Sequence, residues 1–153
     1  MPSNAWTPLA NLTLGSNQST VTFSSISQSY RDLVLVMSVE AVSGNSLTYR
    51  LNSDTGTNYS WVQMAAGGGG LLSNAGSGLT TLDLSPNTLT DSTNYDLCTV
   101  NILDYTATDK HKTAITRYTP ASTSNNVNEL TQRWASTAAV TSIAITISNS
   151  GLS

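Results

Sequence analysis

The chain has 153 residues and a net charge of −3, and its six lysines and arginines are spread singly. Nucleic-acid binding needs several cations gathered on one face, so this charge distribution excludes it, and no apolar run reaches the roughly 20 residues that cross a bilayer as a helix. Charged residues are 10% of the total, against roughly 25% in an average soluble protein; Ser, Thr and Asn supply the polarity instead, a composition that fits particle-borne and extracellular β proteins better than cytosolic enzymes.

In chain order, the dominant period of the apolar residues is two. After an N-terminal arm over residues 1–9, STVTF (19–23) alternates. RDLVLVMSVEAV (31–42) is apolar on both faces, Leu33, Leu35, Met37 and Val39 on one and Val34 and Val36 on the other, the pattern of a strand covered on both sides. SLTYRL (46–51) places Leu47, Tyr49 and Leu51 inward, and YSWVQM (59–64) is aromatic and β-branched. LTTLDL (79–84) is a weaker strand. NYDLCTVNIL (94–103) puts Cys98, Val100 and Ile102 on one face. HKTAITRY (111–118), NELTQRWA (128–135) and TSIAITI (141–147) follow, the last with Ile143, Ile145 and Ile147 inward. Turn chemistry separates these runs at 42–46, 51–59, 84–88 and 119–126, rich in Gly, Pro, Asn, Asp and Ser. The N-terminal residues or 129–135 hold at most one short helical turn. Eight or nine short strands in one domain spanning 1–153 predict an all-β fold, an antiparallel two-sheet β-sandwich. A jelly roll suits this length best; an immunoglobulin-like sandwich is the second choice, lacking its Cys-Trp-Cys signature.

The longest break is AAGGGGLLSNAGSG (65–78). It reads as a flexible surface loop, or as a loop ordered by a partner chain, since consecutive glycines hold no single conformation unaided. Gly67, Gly68, Gly69 and Gly70 are therefore candidate interface residues. No Gly-Lys-Ser/Thr follows them, which sets aside phosphate cradling. Trp6, ahead of the first strand, is the other candidate, as an anchor on a neighbouring subunit.

The residue types that carry catalysis are sparse. The sole histidine, His111, falls in VNILDYTATDKHKTAITRY (100–118) with Asp104 and Asp109 nearby. The stretch reads as a hairpin with a short polar connection, with His111 and Lys112 opening the return strand on opposite faces. A general base needs an orienting partner and a nucleophile within reach, and no nucleophile motif is present. One histidine and one cysteine, Cys98, cannot build a zinc site or an intramolecular disulfide. The nine carboxylates are scattered with no spacing that marks a glycosidase pair. NSDTGTN (52–58) offers Asn52, Asp54 and Asn58 around Gly56; it has too few carboxylates for calcium and reads as a turn held by Asn and Asp side chains. The expectation is a protein that is not an enzyme and uses no cofactor. Three Asn-x-Ser/Thr triplets, at Asn11, Asn17 and Asn58, are consequences of composition, because MPSNAWTPLANLTL lacks the basic and apolar regions of a secretory signal.

Several of these segments together resemble structural proteins of tailed bacteriophages. In TVTFSSISQSYRDLVLVMSVEA the residues concerned are Phe23, Ser24, Ser25, Ile26, Tyr30, Asp32 and Leu33; in YRLNSDTGTNYSW they are Arg50, Asn52, Asp54, Gly56, Asn58, Tyr59 and Ser60. ILDYTATDKHKTAITR and RWASTAAVTSIAITI are similar to a later hairpin and a closing strand of the same group, so the resemblance spans roughly residues 10–147. It implies a jelly-roll β-sandwich of the virion surface, made in the host cytoplasm and assembled as a homotrimer, with no catalytic residues to carry over. The chain is consistent with one sandwich throughout and has no shaft repeats, which fits a capsid cement or decoration protein bound to the major capsid protein; the alternative is a tail fibre or sugar-recognising receptor-binding module.

Overall fold

The computed structural model describes residues 6–40, 46–67, 69–84, 95–119 and 127–147, and within them the fold is all-β. Ten strands form: β1 (Thr20–Phe23), β2 (Leu33–Val39), β3 (Leu47–Leu51), β4 (Tyr59–Gly67), β5 (Gly70–Leu79), β6 (Leu82–Asp83), β7 (Asp96–Leu103), β8 (Lys112–Thr119), β9 (Val127–Trp134) and β10 (Ile143–Ile147). They make a four-stranded sheet, β1-β10-β3-β6, and a six-stranded sheet, β2-β7-β8-β9-β4-β5. Every neighbouring pair is antiparallel.

This is the expected β-sandwich, and its strand order is that of a jelly roll with one substitution. An eight-stranded jelly roll orders its sheets 1-8-3-6 and 2-7-4-5. The first order is kept here, with β10 as the last strand. In the second, the meander β7-β8-β9 stands where a single strand would. Adding two strands preserves direction, so β7 still runs antiparallel to β2 and β9 to β4.

The inward assignments hold. Leu47, Tyr49 and Leu51 of β3 and Ile143, Ile145 and Ile147 of β10 are buried, and they face Cys98, Val100 and Ile102 of β7 across the core. Their register is direct: Ile143 opposes Leu51, Ile145 opposes Tyr49 and Ile147 opposes Leu47. Each such aliphatic or aromatic side chain contributes roughly 1.5–3 kcal/mol when fully buried. On the six-stranded sheet Ala114, Tyr118, Leu130, Trp134 and Tyr59 complete the inner layer. Tyr59 and Trp134, opposite each other across β4 and β9, stack at 6.4 Å with their planes 15° apart.

Four expectations are corrected. The segment 65–78 is not a loop: β4 runs on to Gly67 and β5 begins at Gly70, which is paired with it. Sequence alternation misses β5 because the strand is exposed on both faces, so nothing sorts its side chains into apolar and polar rows. The tight reversal needs Gly70, whose φ of 109° is open only to glycine at low cost. Residues 129–135 carry strand β9, not a helical turn. Of LTTLDL only Leu82 and Asp83 pair as β6. Finally, β2 is covered on one face only: Leu33, Leu35 and Met37 pack on the core, whereas Val36 on the other face is exposed. The turn regions 42–46, 84–88 and 119–126 fall almost entirely outside the described residues.

Candidate functional site

The hairpin around His111 joins two neighbouring strands of the six-stranded sheet. β7 ends at Leu103, and the connection is longer than expected, running from Asp104 to His111. Asp104 adopts a left-handed φ of 46°, and Tyr105 then turns into the core and is fully buried. Its N–H donates to the Arg31 carbonyl at 3.0 Å, its carbonyl accepts from the Val140 N–H at 2.8 Å, and its hydroxyl donates to the Ser27 carbonyl. Lys110 reaches the Asp104 carboxylate at 3.2 Å. His111 is exposed just before β8, while Lys112 opens that strand pointing inward. The Lys112 ammonium donates to the carbonyls of Lys110 at 3.0 Å and Thr137 at 3.3 Å, and burial lowers its pKa.

The 52–58 turn has the Asn/Asp-held form expected of it. Asn52 and Ser53 adopt left-handed φ values of 52° and 55°. Asn52 ties the turn to the loop before β10: its Oδ1 accepts from the N–H groups of Thr141 at 2.7 Å and Ser142 at 3.1 Å, and its Nδ2 donates to the Ala139 carbonyl at 2.7 Å. The Asp54 carboxylate accepts from the Trp134 indole at 2.7 Å, from Asn58 Nδ2 at 2.8 Å and from the Gly56 N–H at 2.8 Å. These donors, the indole first, hold its pKa below the ordinary carboxylate value. A carboxylate so occupied is a structural clamp. Among the described residues no three His, Cys, Asp or Glu side chains gather in a way that could hold a metal ion.

Sequence reasoning missed a polar seam inside the six-stranded sheet. Gln132 Oε1 accepts from the Tyr49 hydroxyl at 2.8 Å and from Thr116 Oγ1 at 2.7 Å, and its Nε2 donates to the Asp83 carbonyl, so one amide links both sheets. Gln63 Nε2 donates to Asn128 Oδ1 at 2.9 Å, and the Tyr118 hydroxyl donates to Asp96 at 2.8 Å. The period-two pattern places these residues inward, but polar identity argues against burial, and only the cross-strand partners resolve that conflict. Cys98 lies beside this seam, and burial pushes its thiol up to about 12, far from reactive thiolate.

The surface features are of another kind. The outer face of the six-stranded sheet exposes Val36 on β2, Leu97 on β7, Val127 on β9, Val62 and Met64 on β4 and Leu71 on β5. Met64 is 65% exposed and Leu71 91%. Across β4 this face runs in register, with Val62 between Ala75 and Thr131, and Met64 between Ser73 and Glu129. Glu129 is matched by Arg117 at 2.9 Å, so the charges at the centre of the face neutralise each other. The glycine candidates occupy the far tip of this sheet. Gly67 and Gly70 pair at the end of the β4-β5 hairpin, Gly69 is exposed in its turn, and Gly68 lies outside the described residues.

The second surface feature is an open cleft of about 1220 Å³ between β1 and β2, the strands that end the two sheets. Val21, Phe23, Leu35, Met37, Ile143 and Ile145 line its floor, and Trp6, Tyr30 and Tyr95 stand exposed at its rim. At one end Arg31 contacts Asp32 at 2.7 Å and holds that carboxyl below its ordinary pKa. Trp6 is thus placed at the cleft, far along the fold from the glycine tip, and the two sets of candidate residues form no common site. No family model matches the chain, and neither the curated proteins nor the solved structures contain a match to it.

Proposed function

We propose that this protein is a structural component of a bacteriophage virion, a capsid decoration protein that assembles as a homotrimer and binds across subunits of the major capsid protein. The observation that carries the reading is the wide outer sheet face, apolar at six exposed positions on five of its strands and with its central charges paired. The positions fall in two groups, Val36 and Leu97 on β2-β7 and Val127, Val62, Met64 and Leu71 on β9-β4-β5, with Arg117 and Glu129 between them, and exposed apolar groups rimmed by polar residues mark interaction surfaces. A cement protein works by burying surface across neighbours, so that binding free energy opposes expansion of the shell. Uncharged faces do this with little sensitivity to salt.

The resemblance of several motifs to tailed-phage structural proteins supports the same reading. Asn52, Asp54 and Asn58 tie a turn, Tyr59 stacks in the core, and Ser25 takes a left-handed φ of 54° between β1 and β2. On this reading these residues serve the framework of the sandwich.

The test is gel densitometry of purified particles together with a shell-stability assay. A ratio near one copy per several capsid subunits, with loss of packaged nucleic acid when the protein is stripped, is the expected result. A few copies per particle would overturn it in favour of a receptor-binding tail module. That second reading is favoured by the three exposed aromatics at the cleft rim, which offer faces on which sugar rings stack; it requires free protein to block adsorption.

A further inference from the structure

Among the described residues, β1 and β2 each carry one line of backbone N–H and C=O groups with no strand beside it, and these two lines frame the cleft. Natural proteins blunt open edges with charge, proline, bulges or a cover. TVTF and LVLVMSV contain neither a charge nor a proline. The floor between them is apolar, so among the described residues the opening lacks both a pairing strand and a packed hydrophobic lid.

The segment that would supply both lies next to it. Residues 6–14 read WTPLANLTL, in which Trp6, Pro8, Ala10, Leu12 and Leu14 alternate with Thr7, Leu9, Asn11 and Thr13. That is the pattern of a half-buried strand. No strand forms there: the segment runs along the mouth of its own cleft without secondary structure. Only Leu14 packs against the core, while Trp6 is 69% and Leu12 54% exposed. The length fits, because nine extended residues reach roughly 30 Å and the seven residues of β2 occupy roughly 23 Å.

We infer that the arm of one copy inserts into the cleft of a second copy, adding a strand along the free β2 edge and covering the apolar floor with Trp6, Ala10 and Leu12. Pairing within one chain is the poorer solution. The arm's nearest edge, β1, has only four residues, and the arm already lies beside its own cleft with these side chains still in solvent. Exchange between identical copies buries the arm of one and the cleft of the other together, a low-cost route to an oligomer. Repeated head to tail, such a contact gives a ring where its rotation closes. This inference rests on the reading of the protein as a self-assembling module, and its test needs no particles, so its failure and that of the capsid assignment are separable.

The experiment mixes two full-length variants, Asn11→Cys and Val36→Cys, under mild oxidation, because with Leu12 facing the floor Asn11 faces outward as Val36 does. Both positions are exposed, so both variants fold, and buried Cys98 stays silent. The expected result is a covalent heterodimer in the mixture, well above the level in either variant alone. In parallel, Leu12→Asp should lower the mass seen by light scattering from a multiple of 16.1 kDa to a single copy. Two results would overturn the inference: no heterodimer in the mixture while the double variant Asn11→Cys/Val36→Cys links to itself, which makes the arm a lid on its own cleft, or no link in either sample, which means that the arm pairs with no β2 edge.

Discussion

Strand β4 is two different strands end to end. From Tyr59 to Gln63 its alternate side chains are buried, stacked on Trp134 or hydrogen-bonded to Asn128. From Met64 to Gly67 it has the same two neighbours, β5 and β9, in a register that is unbroken from Ser60 onward, yet no residue is fully buried. The backbone ladder is therefore indifferent to whether a core lies beneath it. What changes along the strand is burial: the alternate side chains of its first half pack into the interior, and those of its second half do not. The first half of β4 makes the fold; the second half presents surface.

The largest effect should come from breaking the covered region. Ile145 lies between Val21 on β1 and Tyr49 on β3 and is buried. Ile145→Asp places an unpaired carboxylate there and removes an aliphatic side chain. Costs above about 4–5 kcal/mol are exceptional for one substitution, and a buried lone charge belongs among them, against a total stability of roughly 5–15 kcal/mol for a domain. The variant should be insoluble or show no cooperative urea transition. A native circular-dichroism spectrum and a wild-type midpoint would mean that β10 does not face inward.

Next comes the Asp54 clamp. Asp54→Ala strips the Trp134 indole of its acceptor and releases Asn58 and Gly56. Hydrogen bonds to a charged group are worth about 1.5–3 kcal/mol each, but this carboxylate is partly solvated and its share is screened, so the loss should be about 2 kcal/mol. The pH dependence has a definite sign. The folded-state pKa lies below the ordinary 3.8, so the contribution is complete above that value and disappears as pH falls through the folded pKa. Urea midpoints measured from pH 6 down to pH 2.5 should fall more steeply for wild type than for Asp54→Ala. Parallel curves would show that the clamp is not felt.

At the alkaline end the sign reverses. Burial raises Tyr59 to about 12 and Cys98 to about 12, and it pushes Tyr49 and Tyr118 up as well. A group whose folded pKa is raised stabilises fully below its unfolded value, here 10.0 for tyrosine and 9.0 for the thiol, and that stability is lost as pH climbs through the folded value. Unfolding free energy should drop by at least about 1 kcal/mol between pH 8 and pH 11, and Cys98 should react with a thiol reagent only on unfolding. A thiol that titrates and reacts in the native protein would show that the interior opens on the labelling timescale.

How far the sequence exposed this division depends on whether a residue's chemistry agrees with its place. Leu47, Tyr49, Leu51 and the three isoleucines of β10 are apolar, alternate strictly and are buried, so period two located them. Gln132 and Thr116 alternate correctly too, but a polar side chain signals an interior only once its partner across the sheets is known. β5 hid itself because a strand in solvent on both faces has no pattern to show, and its glycines suggested a loop. Val34 and Val36 were visible as a second apolar row and suggested a second covering layer; the row is there, and the cover is absent from the described chain. Among the candidate site residues, Trp6 carried a usable signal in its place at the head of an alternating arm, whereas the glycines signalled only a turn.

The smallest effect on stability should come from the exposed half of β4 and its partner. Met64→Asp and Leu71→Asp change side chains that touch solvent, and surface substitutions of this kind usually stay within about ±0.5 kcal/mol. Urea denaturation should therefore not separate the double variant from wild type. If the protein decorates a capsid as proposed, particle binding should, because the same two carboxylates would be desolvated in any interface that covers this face, and charged groups buried without partners are costly there. Co-sedimentation with shells stripped of the protein is the measurement, with the variant expected to stay in the supernatant. A variant that unfolds easily would show that the overhang shares in the core after all. One that folds and still binds at wild-type occupancy would show that the uncovered half of β4 faces solvent in the particle as well, and the contact surface would then have to be sought around the cleft.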